Sequence, residues 1–418
     1  PVHINLITTY SRDFSVKELP HVKVMRRFQA WDELPVLPEG RIGIYVGSHT
    51  HFSEKQNRAI DRFCATYDAV VICDHTSGYY GKYKLLPTLV QLQSDITSPF
   101  PPLDLMVHIG EISAASFNDT IPAKEVWRVS EDGELRDPFK KLTTVFQMSE
   151  EMFFLHYGKD GCNRHVLIDE CRELFGEIYE QIPELPFCNI WTAMQLSSRL
   201  PKGALFHMGV SNTRRCWNMF QLPESVESAC NVGCCGIDGC VSTLVGASLV
   251  NPDRLCYVVV GDLTFFYDLN SLGNHHIGTN LRVMLVNNGR GTEFRLGIHH
   301  CNVFGDDADK YMAAAGHFGN KSPLLVKHYA EDLGFHYLSA TTKEEFMTAL
   351  SNFTNPQLSD HSMILEVFTD SKDESEALYL MSHIQSDAKG MVRSKLKDAV
   401  RNVAGEKGIN AIKKILKK

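Results

Sequence analysis

Two apolar runs end in residues that could share a cation. "LCYVVV" (Leu255–Val260) runs into Gly261–Asp262, and "LRVMLV" (Leu281–Val286) runs into Asn287–Asn288. Asp262 and Asn288 are 26 positions apart, the length of one strand–helix–strand crossover. As parallel neighbours, the two strands would release both side chains at one carboxyl edge, where open α/β sheets bind ligands. A carboxylate, an amide oxygen and a nearby carbonyl are hard donors, of the kind Mg²⁺ takes while keeping places for phosphate and water. The intervening "TFFYDLNSLGNHH" carries Phe265, Leu269 and Leu272 at helical spacing. A helix starting there would aim its free N–H groups at the same place and favour an anion. The plainer reading is a helix cap at Asp262 and an Asn turn. The joint spacing, each residue at a strand end, favours metal and diphosphate.

These residues need a frame, and the periodicities supply one. "RIGIYVG" (Arg41–Gly47), "AVVICD" (Ala69–Asp74), "DLMVHIG" (Asp104–Gly110) and "EVWRVS" (Glu125–Ser130) read as strands. "SEKQNRAIDRFCATY" between the first two has its apolar residues at helical spacing. Such alternation implies parallel βαβ units. A helix around Leu167–Gln181 leads into helix "CNIWTAMQLSSRL", strand "ALFHMG", loop "NVGCCGIDG" and small-residue helix "CVSTLVGAS". "FHYLSA" and "SMILEVF" read as a closing helix–strand pair. The expected fold is α/β: two doubly wound parallel-sheet domains and a basic C-terminal helical tail. The boundaries fall at 1–20 (linker), 21–165 (first domain), 166–186 (linker helix), 187–385 (second domain) and 386–418 (tail).

Composition narrows the function. The chain has 418 residues, 44% hydrophobic and 22% charged, enough for two folded domains. A net charge of -8 gives no reason to expect nucleic acid. No apolar run reaches the roughly 20 residues of a membrane span. The 12 Cys lack framework spacing and read as reduced thiols of a cytoplasmic protein.

With these residues in view, "GDL…NN" resembles the diphosphate/Mg²⁺ motif of thiamine-diphosphate-dependent enzymes. The chain resembles in particular the menaquinone-pathway family of 2-succinyl-5-enolpyruvyl-6-hydroxy-3-cyclohexene-1-carboxylate synthases. The resemblance is carried by "GDL" and "YDLN" (Tyr267–Asn270), by "GIDG" (Gly236–Gly239) before Ser242–Thr243, by "ELRDP" (Glu134–Pro138), and by "PVHIN" at Pro1. It implies that Asp262, Asn288 and the carbonyl of Arg290 hold Mg²⁺. Gly236, Gly261, Leu263 and Thr264 would contact thiamine diphosphate, and Ile237 would wedge beneath it to hold it bent. The implied activity is decarboxylation of a 2-oxo acid with C–C bond formation to an acceptor, the cofactor acting as electron sink.

The same resemblance implies a homo-oligomer, dimer or tetramer, with its site between subunits. It also implies that the chain opens where a pyrimidine-binding domain ends. The Glu that activates the cofactor would then sit on a missing segment or on a separate pyrimidine-domain chain. The alternative is therefore a non-catalytic or partner-dependent cofactor-binding subunit. Substrate positions depart from the synthase pattern. Val232 in "NVG" replaces an Arg, and a middle-domain Lys is replaced near Ala115–Ser116. Arg215, with Arg214 beside it, is kept as a cation for a substrate carboxylate. "NVGCCGIDG" and "NNGRGTEFR" also resemble thiamine-diphosphate proteins of surface-polysaccharide clusters.

Three features remain. His299 and His300 in "GIHHC" are candidates for general acid/base work, against the reading of an incidental tandem. His275 and His276 lack the spacing of a zinc site. The tail from Ser386 holds ten Lys/Arg against three acidic residues. Its "INAIKKILKK" suits an anionic surface, placing the protein peripherally at the inner membrane face, or it is a solvated tail.

Overall fold

The computed structural model describes residues 24–96, 100–111, 121–233, 236–296, 299–307 and 322–386. Strands β1 (Arg26–Gln29), β2 (Ile42–Val46), β3 (Val70–Ile72), β4 (Lys84–Leu85), β5 (Leu103–Ile109), β6 (Ala123–Ser130) and β7 (Leu142–Gln147) form one sheet. Their order is β1-β7-β6-β5-β2-β3-β4. Strands β8 (Leu205–Met208), β9 (Glu227–Cys230), β10 (Cys256–Gly261), β11 (Leu281–Asn287), β12 (His336–Ala340) and β13 (Met363–Phe368) form another, in the order β12-β13-β11-β10-β8-β9. Every pairing between these strands is parallel. The expected two doubly wound sheets are therefore present.

Two elements differ from expectation. "FHYLSA" is not the helix of a closing pair but strand β12, and helix Lys343–Phe353 lies between it and β13. The stretch after Asp262 is a short helix, Asp262–Tyr267, followed by a 3₁₀ segment, Leu269–Gly273. The expected tail and the N-terminal linker lie outside the described residues, apart from a bridge between Ser386 and Asp95.

Burial follows the sequence pattern. The first five residues of β10 and all seven of β11 are buried, as strands covered on both faces must be. One face of the second sheet packs against helix Cys240–Val250 in a core of its own. The other face joins a core continuous with the first sheet. Polar locks cross between the domains. The backbone N–H of His75, after β3, donates to Asn218 Oδ1 at 2.9 Å, and its ring Nε2–H donates to the Phe220 carbonyl at 2.8 Å. Ser228 Oγ donates to the His75 carbonyl at 2.7 Å. Helix Ser371–Ser382 returns to the first domain, where Gln93 donates to the Met381 carbonyl at 2.8 Å. The described cysteines are free thiols. Among the described residues, no helix is long and apolar enough to cross a membrane.

Candidate active site

In the second sheet the chain leaves β8 towards β9 on one side and β10 towards β11 on the other. The carboxyl ends of β8 and β10 therefore mark the topological switch point, where such sheets bind ligands. Asp262 follows β10 directly and is 2% exposed. Gly261 pairs with Val286, so Asp262 and the Asn pair emerge side by side from neighbouring strands. Asp262 Oδ1 accepts the N–H of Leu263 at 2.7 Å.

The two Asn play different parts. Asn287 is buried, donates Nδ2–H to Glu366 Oε1 at 2.7 Å, and accepts the Gly289 N–H at 3.3 Å. Gly289 has φ +79°, a left-handed turn that costs glycine little. Asn288 Oδ1 is buried without a hydrogen-bond partner among the described residues. A buried acceptor left without a donor costs free energy, and a cation is the partner that would repay it. Buried carboxylate and unanswered amide oxygen at one sheet edge form a donor set that fits Mg²⁺.

The surrounding loops are tied to this edge. Gly236 and Ile237 lie in the loop before helix Cys240–Val250, and Gly239 has φ +79°. Ile237 is half-buried and belongs to neither hydrophobic core. Asp268 of "YDLN" accepts the N–H of Ser242 at 2.6 Å, capping that helix from the metal-motif side. Thr264 is buried and Leu263 half-buried. The helix at Asp262 spans six residues, so its dipole is smaller than the expected longer helix would provide.

Arg215 is engaged. Its Nη1 and Nη2 donate to Glu293 at 3.0 and 2.7 Å, tying the loop beyond Arg290 to helix Asn212–Trp217 after β8. Arg214 is 8% exposed, and its Nη1 has no hydrogen-bond partner among the described residues. Val232 is buried where the resemblance has an Arg. His299 is half-buried, accepts the Cys301 N–H at 3.1 Å and meets Phe294 edge-on. His300 opens the 3₁₀ segment His300–Asp307; its side chain lies outside the described residues, as do Cys234, Cys235 and Ala115–Ser116. His275 and His276 are exposed, and among the described residues no group of three or more His, Cys, Asp or Glu could hold a metal. Sequence reasoning missed Glu366, Glu293 and the buried His207 of β8, whose pKa burial lowers to about 4.

No family model matches the chain. It is 28% identical over 406 residues to the 2-succinyl-5-enolpyruvyl-6-hydroxy-3-cyclohexene-1-carboxylate synthase of Bacteroides thetaiotaomicron, covering 90% of this chain and 69% of that protein. It is 27% identical over 412 residues to the enzyme of the same name from Phocaeicola vulgatus, with the same coverage. Against the Bacteroides fragilis enzyme it is 33% identical over 263 residues, 62% of this chain and 45% of that protein. The chain is a relative of these synthases. They bear the name of the synthases that the sequence motifs resemble, and the Asp262–Asn288 edge lies within the aligned stretch.

Proposed function

We propose that the chain holds the metal and diphosphate end of thiamine diphosphate for a carboligase that decarboxylates a 2-oxo acid and joins the remainder to an acceptor. The observation that carries this reading is the buried Asn288 oxygen, without a donor among the described residues, next to the buried Asp262 at the same sheet edge. In this reading residues 21–165 are the middle domain and 187–385 the diphosphate-binding domain. Asp262, Asn288 and the Arg290 carbonyl hold Mg²⁺. Gly236, Gly261, Leu263 and Thr264 line the cofactor, and Ile237 props it. When bound, thiamine diphosphate would supply the electron sink for loss of CO₂. The residues of the chain bind, orient and move protons around it. Arg215 and Arg214, the latter with a buried Nη1 that has no partner among the described residues, are the cations for a substrate carboxylate, and His299 or His300 serves as general acid/base. The assembly is a homo-oligomer with the site between subunits.

A second reading is a non-catalytic or partner-dependent cofactor-binding subunit. Two observations favour it: Val232 stands in place of a substrate cation, and Glu293 already neutralises Arg215. Calorimetric titration with thiamine diphosphate, with and without Mg²⁺, tests what both readings share. Binding that requires Mg²⁺ is expected; no binding in its presence contradicts both. Release of CO₂ from 2-oxoglutarate or pyruvate by the chain joined in frame to a pyrimidine-binding segment supports the first reading; release only when that domain is added as a separate protein supports the second.

A further inference from the structure

A carboxylate lies buried beneath the Asn pair. Glu366 of β13 pairs opposite Leu285 of β11 and is 1% exposed. Its Oε1 accepts Nδ2–H of Asn287 at 2.7 Å, and its Oε2 accepts the hydroxyl of Tyr337, from β12, at 2.8 Å. Among the described residues no cation pairs with it; both oxygens are satisfied by neutral donors. Placing a carboxylate in a sheet core without a cation is costly, so its retention asks for a reason.

The reason lies in what Asn287 does next. With both Glu366 oxygens accepting, the amide of Asn287 must turn its NH₂ towards them. Its Oδ1 is then left for the N–H of Gly289, which closes the turn at φ +79°. Asn288 sits between two anchored residues, and its own oxygen is held where no protein donor reaches it among the described residues. We infer that Glu366 is a positioning residue for the metal: through Asn287 it sets the turn that presents Asn288 Oδ1 beside Asp262. Tyr337 fixes Glu366 in turn, so the last three strands on one side of the sheet cooperate in aiming one ligand. This inference rests on the Mg²⁺ reading of the site and adds residues that touch neither metal nor cofactor.

The test compares Glu366→Leu, Glu366→Gln and Tyr337→Phe in the Mg²⁺-dependent titration with thiamine diphosphate, with melting of the ligand-free chains as a check on folding. Removing a group that orients a metal ligand is expected to cost roughly 10–100-fold in affinity, which is the loss expected for Glu366→Leu. Glu366→Gln keeps an oxygen for Asn287 and turns its NH₂ to the Tyr337 hydroxyl, so affinity stays within about threefold of wild type. Tyr337→Phe removes one of two bonds and weakens binding about threefold. A folded Glu366→Leu chain with wild-type affinity overturns the inference, as does Glu366→Gln losing as much as Glu366→Leu. If Glu366→Leu does not fold, Tyr337→Phe decides, and unchanged affinity overturns the role. Wild type that binds nothing in Mg²⁺ defeats the metal site itself, a separate result.

Discussion

At the carboxyl edge of the first sheet, His108 and Arg128 stand opposite each other on β5 and β6; at the same edge of the second, Asp262 and Asn288 follow β10 and β11. The first edge has its own switch point between β2 and β5, and a cavity of about 740 Å³ opens there. Arg128, fully buried, donates to the Gly110 carbonyl at 2.5 Å and faces Glu111 at 4.0 Å. The carboxylates around it have partners within the protein: Glu111 pairs with Arg136, Asp132 accepts from Ser130, and Glu150 pairs with His49. At the second edge the Asn288 oxygen has none among the described residues. Two sheets of one architecture thus offer different chemistry. The parallel fold places side chains at an edge, and the kind of atom left unanswered there decides if the edge can take a cation: His108 Nδ1 and Arg128 Nε at the first, the Asn288 amide oxygen at the second.

The strongest way to break this contrast is to alter one edge at a time. Asn288→Leu is expected to lower Mg²⁺-dependent affinity for thiamine diphosphate more than about 100-fold, beyond the loss typical of outer groups. Arg128→Met should leave it within about twofold. Calorimetry that moves both variants alike would erase the distinction between the edges.

The two halves should also respond to pH in opposite senses. Burial raises Glu374, behind the second sheet, from 4.5 to about 7, although the N–H of Asn189 and the hydroxyl of Thr369 both donate to it. Its stabilising contribution is complete below 4.5 and is lost as pH rises through about 7, on the order of 3 kcal/mol. Burial, with Arg128 beside it, lowers His108 from 6.5 to about 3. Its contribution is present above 6.5 and is lost as pH falls towards 3. Glu374→Gln should therefore flatten the fall in melting temperature between pH 5 and 8 and leave the acid limb intact. An unchanged neutral limb would refute the assignment.

A smaller effect sharpens the picture of the second edge. Arg215 and Glu293 are each about one-fifth exposed, so breaking their pair with Arg215→Met should cost about 1 kcal/mol in a chemical denaturation series. Adding Glu293→Gln should cost little more, since the two act as a unit. Fully additive losses would show that the pair does not tie the loop to the helix after β8.

How much of this was visible beforehand depended on the reach of each interaction. The apolar runs at β2, β5, β10 and β11 are signals within a few residues, and so is the cap-bounded helix Glu54–Tyr67, with Ser53 at its start. β9, "ESAC", has no such signal; it is polar, lies at the sheet edge, and is held by pairing with β8. β12 was misassigned for a similar reason, since its residues are mostly exposed or half-buried and only its pairing with β13 defines it. The positions of Asp262 and Asn288 could be read from spacing because one crossover joins them. The separate duties of Asn287 and Asn288 could not, because Glu366 lies 79 positions from Asn287 in the chain. Glu293, 78 positions from Arg215, was hidden in the same way, and with it the fact that this cation is already engaged.

The central claim is that Asp262 and Asn288 form one oxygen-donor site for the metal of thiamine diphosphate. Calorimetric titration of wild type and Asp262→Ala with thiamine diphosphate in Mg²⁺ tests it most directly. The account predicts Mg²⁺-dependent binding by wild type and its loss in Asp262→Ala, with the ligand-free variant still folded; equal affinity in the two proteins would contradict it.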